Sequence, residues 1–287
     1  MVLALHADGD GPPPPGGRTL VLLHGFTGDG STWQPLRGGL RRWGSTLAVD
    51  LVGHGRSPAP PELEHYRMEA CLEQVLAVLR RLHVGAAWWV GYSMGGRVAL
   101  QLAARHPECV QGLVLLSTTA GTDDPAARAQ RIREDEALAD SIEAQGVPAF
   151  IARWLERPMF AGLQGLAPEA RERQRTQRLG NSALGLANSL RGMGSGAMEP
   201  VWQPLAGLRV PTLILCGAED AKFVQAARRL HGQWPHARLR EVAGAGHALH
   251  VTHAREVLAA VDEFFAAGAG AAPAQAPAQA QPGPPLP

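Results

Sequence analysis

The chain has 287 residues, 45% of them hydrophobic and 18% charged, a composition that excludes a fibrous or wholly disordered protein and allows one large core. Its 27 basic and 26 acidic residues leave a formal charge of +1, so no overall field draws it to nucleic acid or to an anionic membrane surface. Cys71, Cys109 and Cys216 are odd in number and widely spaced, without a CxxC pair, which argues against a disulfide framework or a structural zinc site and suits a reducing cytoplasm.

The first six residues lack a basic segment and an apolar run long enough for a signal peptide. No stretch approaches the ~20 apolar residues of a membrane helix, so a cytoplasmic location is expected. Gly9 to Gly17, with four consecutive prolines, reads as a turn between N-terminal strands. Short apolar runs then recur as buried strands at Leu20 to Leu23, Thr46 to Val49, Trp88 to Gly91, Leu113 to Ser117, Thr212 to Cys216 and Leu239 to Val242. Helical patterns lie between them at Met68 to Leu82, Met94 to Arg105, Phe223 to Gln233 and Ala254 to Phe265. That alternation predicts an α/β class with a mostly parallel sheet. The rhythm breaks between Thr122 and Pro200, where Ala, Arg, Glu and Gln dominate. The expected division is a core of residues 1–121 and 201–265, a helical cap at 122–200 and a disordered Ala/Pro-rich tail at 266–287.

The loops after these strands carry the chemistry. His24-Gly-Phe-Thr-Gly28 follows the first confident strand and can aim the Phe26 backbone N–H at a reacting centre; an ordinary glycine turn is the alternative. Asp50-Leu-Val-Gly-His-Gly-Arg-Ser57 reads as a scaffold turn. Gly91-Tyr-Ser-Met-Gly95 matches G-x-S-x-G at the junction of a strand and a helix, where small neighbours let the chain turn sharply and lift the Ser93 hydroxyl out of the sheet. There the Met94 N–H can join that of Phe26 as a two-donor oxyanion hole. A plain helix start with Ser93 near the cap is the competing reading.

A serine hydroxyl needs a histidine to take its proton and a carboxylate to orient that histidine. Asp220, in the loop after Leu213 to Gly217, and His247, in Gly244-Ala-Gly-His247, supply them in the chain order of this motif. Glu219, Asp123 and Asp124 are the rival acids. His250 and His253 extend an H-x-x-H-x-x-H run from His247, but no carboxylate or cysteine cluster completes a metal site, and these two are expected to be solvated or capping. Neither metal nor organic cofactor is implied.

With these pieces assembled, the chain up to about residue 265 resembles the α/β-hydrolase superfamily, and within it the 2-succinyl-6-hydroxy-2,4-cyclohexadiene-1-carboxylate synthases, lyases of menaquinone biosynthesis. The resemblance rests on His24-Gly-Phe-Thr-Gly-Asp29 with Trp33-Gln34, on Val49 to Gly55 and on Val90 to Arg97. More specific are Trp154-Leu-Glu-Arg-Pro-Met-Phe160, Arg178-Leu-Gly-Asn181 and Cys216-Gly-Ala-Glu-Asp-Ala-Lys-Phe223. It implies abstraction of a ring proton by the triad and elimination of pyruvate from a small polycarboxylate, with Ser93 as the base toward carbon. It also implies Arg97, Arg131 and Arg178 as carboxylate partners, with Tyr92, Trp154 and Lys222 as further contacts. Arg97 stands about one helical turn after Ser93 on the same face. Met94 replaces an equally usual leucine, and the tail and proline run are not features associated with the synthases. A carboxylic ester, lactone or C–C bond hydrolase with the same triad is the alternative, and a non-catalytic binding protein the third. The sequence does not set the oligomeric state, and a monomer is compatible with this reading.

Overall fold

The computed structural model describes residues 2–7, 18–234 and 236–269. In chain order its elements are β1 (Leu5–Ala7), β2 (Thr19–Leu23), α1 (Gln34–Leu40), β3 (Ser45–Val49), α2 (Met68–Arg81), β4 (Ala87–Tyr92), α3 (Met94–Arg105), β5 (Val110–Leu116), α4 (Pro125–Leu155), α5 (Pro168–Leu179), α6 (Ala183–Met193), α7 (Trp202–Ala206), β6 (Thr212–Gly217), α8 (Ala221–Gln233), β7 (Arg238–Val242), α9 (Leu249–Thr252) and α10 (Ala254–Phe264).

The strands form one sheet in the order β1-β3-β2-β4-β5-β6-β7. Only β1 runs antiparallel, on β3; the other neighbouring pairs are parallel. A parallel sheet is covered on both faces, so its inner strands must be apolar on both. Every residue of β2, β4 and β6 is accordingly buried. Alternation divides them between two cores. Val21 and Leu23 join Trp89, Leu113 and Ile214 under α2, α3 and α8, through Val75, Leu79, Val98, Leu102 and Leu230. Leu20 and Leu22 join Val90, Val114 and Leu215 under α1 and α10, through Leu36, Leu40, Val257 and Phe264. Burying such side chains contributes about 1.5–3 kcal/mol each before entropy is counted.

The six expected strands are all present, and α3 has the expected bounds. The short β1 lies on the far side of β3 from β2, so the strands flanking Gly9 to Gly17 are not neighbours; that segment itself lies outside the described residues. Helix α10 runs on through a π-type turn, Phe265–Ala269, which includes the first residues of the expected tail; residues 270–287 lie outside the described residues.

Residues 122–200 contain α4, a 3-10 stretch Pro158–Gly165, α5 and α6, and no strand. Asp124 caps α4 by accepting from Ala127 N, and Ser182 caps α6 by accepting from Gly185 N. Helix α4 breaks at Gly146, whose φ of 78° favours glycine, just before Pro148. These helices share an apolar cluster with Phe26 and Ala248 of the sheet's loops, including Ile142, Phe150, Trp154, Phe160 and Leu186. That contact sets the insertion over the C-terminal edge of the sheet.

The close approach of α3 to β2 depends on Gly95. A Cβ there would overlap the Leu23 carbonyl group, with backbone on both sides and no flexible atom to yield. Gly95→Ala is therefore expected to cost about 1–3 kcal/mol or more. For a chain of this size that is roughly 2–4 °C of Tm per kcal/mol, measured by thermal unfolding.

Candidate active site

Because the strands are parallel, the loops leaving β2, β4, β6 and β7 emerge at one edge. The tightest is at Ser93, which follows β4 with φ 51° and ψ −108°, a costly conformation for a residue with a Cβ. It is held from both sides: Ser93 N donates to Leu116 O at 2.9 Å, and Ser93 O accepts from Thr118 Oγ1 at 2.8 Å and Arg97 N at 3.1 Å. A Cβ at Gly91 would stand 2.6 Å from Gly95 O, so glycine at the motif's first position is a packing requirement. Thus the sharp turn expected from the sequence is present.

The Ser93 hydroxyl lies 3.1 Å from His247 Nε2, and His247 Nδ1 lies 2.7 Å from Asp220 Oδ2. With Nδ1–H donating to the carboxylate, Nε2 is the acceptor facing the hydroxyl, the tautomer a general base requires. Asp220 is buried, as is His247, whose ring is walled by Phe223, Tyr92 and Phe160. Burial lowers the His247 pKa below its ordinary 6.5; Asp220 pulls it back up, and Lys222 and Arg97 push it down again. The rival acids are elsewhere. Glu219 is exposed, Asp123 pairs with Arg229 at the surface, and Asp124 is the α4 cap.

Gly25 brings the next loop against the serine, since a Cβ on it would lie 3.4 Å from Ser93 Cβ and 2.7 Å from the Tyr92 ring. Among the described residues, the Phe26 and Met94 N–H groups have no acceptor, and Met94 N opens α3, where the helix dipole favours negative charge.

The expected substrate contacts surround this centre. Arg97 is half-buried, donates from one Nη to Met193 O at 2.9 Å and leaves its buried Nε without an acceptor. Burial, then the charge of Arg131, pushes its pKa down to about 10. Arg178 is 5% exposed, donates from Nη1 to Gln174 and likewise leaves Nε unpaired; burial lowers its pKa. The Trp154 indole N–H, under Phe26 and Phe160, has no acceptor either. Tyr92 is buried, and desolvation raises its pKa, so its hydroxyl stays protonated. Lys222 is exposed but close enough to be held below its ordinary range by partial desolvation and then by Arg131 and Arg97. Arg131 belongs to the same cationic group, and its guanidinium grips Asp135 with two bonds of 2.7 and 3.0 Å.

His250 corrects the sequence reading. It is 1% exposed, its Nε2 lies 3.0 Å from Thr32 Oγ1, and its ring packs on Tyr92 at 4.0 Å between centroids. The spacing suggested a solvated histidine because α9, a single turn, gives no periodicity to reveal its buried face. His253 is half-buried and bonds Thr252 Oγ1. The described residues hold one cluster with metal-ligand spacing, His6, Asp29 and Asp50. There Asp50 is occupied by Gly30 N, Arg56 N and His6 Nε2, a donor set that ties loops together and does not fit an ion.

A family model described as alpha/beta hydrolase fold matches residues 18–254. The chain is 38% identical over 251 residues to a Bacillus subtilis (strain 168) protein provisionally named 2-succinyl-6-hydroxy-2,4-cyclohexadiene-1-carboxylate synthase, over 88% of this chain and 91% of that one. It is 31% identical to the synthase of that name from Serratia proteamaculans (strain 568), over 85% and 92%. The chain belongs to the α/β-hydrolase family, among its 2-succinyl-6-hydroxy-2,4-cyclohexadiene-1-carboxylate synthases. Among solved structures, MenH from S. aureus superimposes with a TM-score of 0.85 at 28% identity, over 93% of this chain and 98% of that one. No helix among the described residues of this α/β-hydrolase is long and apolar enough to cross a membrane.

Four buried histidines shape the acid response. Burial holds His54 and His250 down to about 3 and lowers His24 and His247. Unfolded histidines take up protons below 6.5 while these do not, so the unfolded state binds more protons there and stability falls as pH drops. Each lowered histidine contributes up to about 1.4 kcal/mol per pH unit between its folded value and 6.5. Denaturant titrations at pH 7.5 and 5.0 should show the midpoint falling at the lower pH, and a smaller fall in His250→Gln.

Proposed function

We propose that this enzyme eliminates pyruvate from 2-succinyl-5-enolpyruvyl-6-hydroxy-3-cyclohexene-1-carboxylate, giving 2-succinyl-6-hydroxy-2,4-cyclohexadiene-1-carboxylate, with Ser93, His247 and Asp220 as its catalytic triad. The observation that carries the substrate class is the set of buried, unpaired donors at Arg97 Nε, Arg178 Nε and Trp154 Nε1 around that triad. An unmet buried donor costs about 1–3 kcal/mol, more for a charged group, and a polycarboxylate offers each of them an acceptor. Guanidinium forks match carboxylates in geometry.

In the reaction His247 Nε2 takes the Ser93 proton, and the alkoxide removes a ring proton. The electron pair released moves into the ring to form the conjugated diene as the C–O bond to the enolpyruvyl group breaks. The departing enolate takes up a proton and leaves as pyruvate; no water is consumed. Asp220 stabilises the imidazolium, and the Phe26 and Met94 amides steady the developing oxyanion. Arg97 and Arg178 hold carboxylates, supported by Tyr92 and Trp154; Arg131 and Lys222 add positive field. The substrate is a small molecule, and no second chain enters the chemistry.

The test supplies purified protein with freshly generated substrate and follows pyruvate, with p-nitrophenyl acetate hydrolysis in parallel. Pyruvate release above the spontaneous rate that disappears in Ser93→Ala is the expected outcome. Efficient ester hydrolysis with only spontaneous pyruvate release would instead assign the site to ester, lactone or C–C bond hydrolysis. Arg97→Ala should cost the elimination about 2–5 kcal/mol of transition-state binding, as for loss of one partner of a buried charged pair, and leave the neutral ester nearly untouched. Equal loss on both substrates would mean that Arg97 supports the serine turn.

A further inference from the structure

Asn181, in the link between α5 and α6, is 7% exposed, and its amide reaches three segments. Nδ2 donates to Thr27 O at 2.9 Å and to Arg178 O at 3.0 Å, while Oδ1 accepts from Gly55 N at 3.0 Å. Two carbonyls on one side and an N–H on the other fix which amide atom is which. One side chain therefore joins the backbone of Arg178, the turn that carries Phe26 and the loop after β3.

That turn needs an external hold. Gly28 N donates to Gly25 O at 3.0 Å, closing a four-residue turn whose third member, Thr27, has φ 67°. The left-handed region suits glycine or asparagine there, and a β-branched residue is an outlier in it. Thr27 is fully buried, yet its hydroxyl has no partner among the described residues, so its own side chain makes no bond that fixes the turn. The Thr27 carbonyl is fixed from outside, by Asn181. If that carbonyl were released, the turn could relax toward a negative φ at Thr27, and the adjoining Phe26 N–H would swing off the line to Ser93.

We infer that Asn181 is a positioning residue that couples the carboxylate seat at Arg178 to the oxyanion donor at Phe26. The inference rests on the roles proposed above for Arg178 and Phe26. Both hydrogens of one amide are shared between the two, so ordering Arg178 by a bound carboxylate also orders the Thr27 carbonyl. Binding energy from a remote part of the substrate is thereby used at the reacting centre. A small neutral ester draws nothing from Arg178 but still depends on Phe26, which separates the two halves of the coupling.

The experiment measures kcat and KM for pyruvate elimination and for p-nitrophenyl acetate hydrolysis in Asn181→Ala and Asn181→Asp, each alone and combined with Arg178→Ala. The expected result for Asn181→Ala is a kcat about ten- to a hundredfold lower on both substrates, the scale of a misplacement near 1 Å. Its KM should rise for the polycarboxylate only, and that rise should vanish in the Arg178→Ala background. Asn181→Asp keeps the shape and the acceptor for Gly55 N but turns a carboxylate oxygen toward two carbonyls, so it should reproduce the loss even where the alanine variant folds poorly. An unchanged kcat for the ester, or KM effects that multiply independently in the double variant, would overturn the coupling. If wild-type protein released no pyruvate above the spontaneous rate, the lyase reading would fail, and the ester kinetics would still report whether Asn181 holds Phe26.

Discussion

The contact between the start of α3 and the ends of β2 and β4 is the constraint from which the site is built. Gly95 rests on the carbonyls of Leu23 and His24, and Gly91 rests on Gly95 and Gly96. No side chain of any size fits between these segments. The helix can therefore begin immediately after Ser93, and the cost of the serine's positive φ is met by fixed bonds to Leu116 and Thr118. Without that approach the Met94 N–H would not open toward the hydroxyl, and the His24 to Gly28 turn would not lie beside it. The parallel sheet then adds the remaining pieces with little further specification, because every β-to-α loop leaves at the same edge.

The fold and the reacting centre were legible for that reason. Continuous apolar runs such as Leu20 to Leu23 and Leu213 to Cys216 announce strands buried on both faces, and a glycine-flanked serine between a strand and a helix has few other uses. What could not be read was whatever depends on distance across the fold. His250 lies in a one-turn helix and packs on Tyr92 and Thr32, contacts with no local signature. Asn181 was visible only as a letter in Arg178-Leu-Gly-Asn181; its bond to Thr27 spans 154 positions. The resemblance implies Arg131 as a carboxylate partner; its grip on Asp135, four residues on, is an i,i+4 pair that the sequence motif does not reveal.

The insertion contributes walls as well as charges. Phe150 and Trp154 pack on Phe26, and Phe160 packs on Trp154 and on the His247 ring, so the centre is lined by aromatic carbon. A dry site strengthens every charge interaction inside it. It also disfavours hydrolysis, which needs a positioned water, relative to an elimination that consumes none.

Electrostatics then link binding to basicity. His247 is held below its ordinary pKa by burial, against the raising effect of Asp220, and Lys222 and Arg97 add to that lowering. A carboxylate seated on Arg97 cancels the local positive charge that His247 feels, so its imidazolium becomes easier to form when substrate is bound. The base is therefore weakest when there is nothing to deprotonate and strengthens as the arginines are neutralised. A neutral ester produces no such change. On the roles proposed above, the arginines add a minor adjustment to a proton affinity that burial and Asp220 dominate.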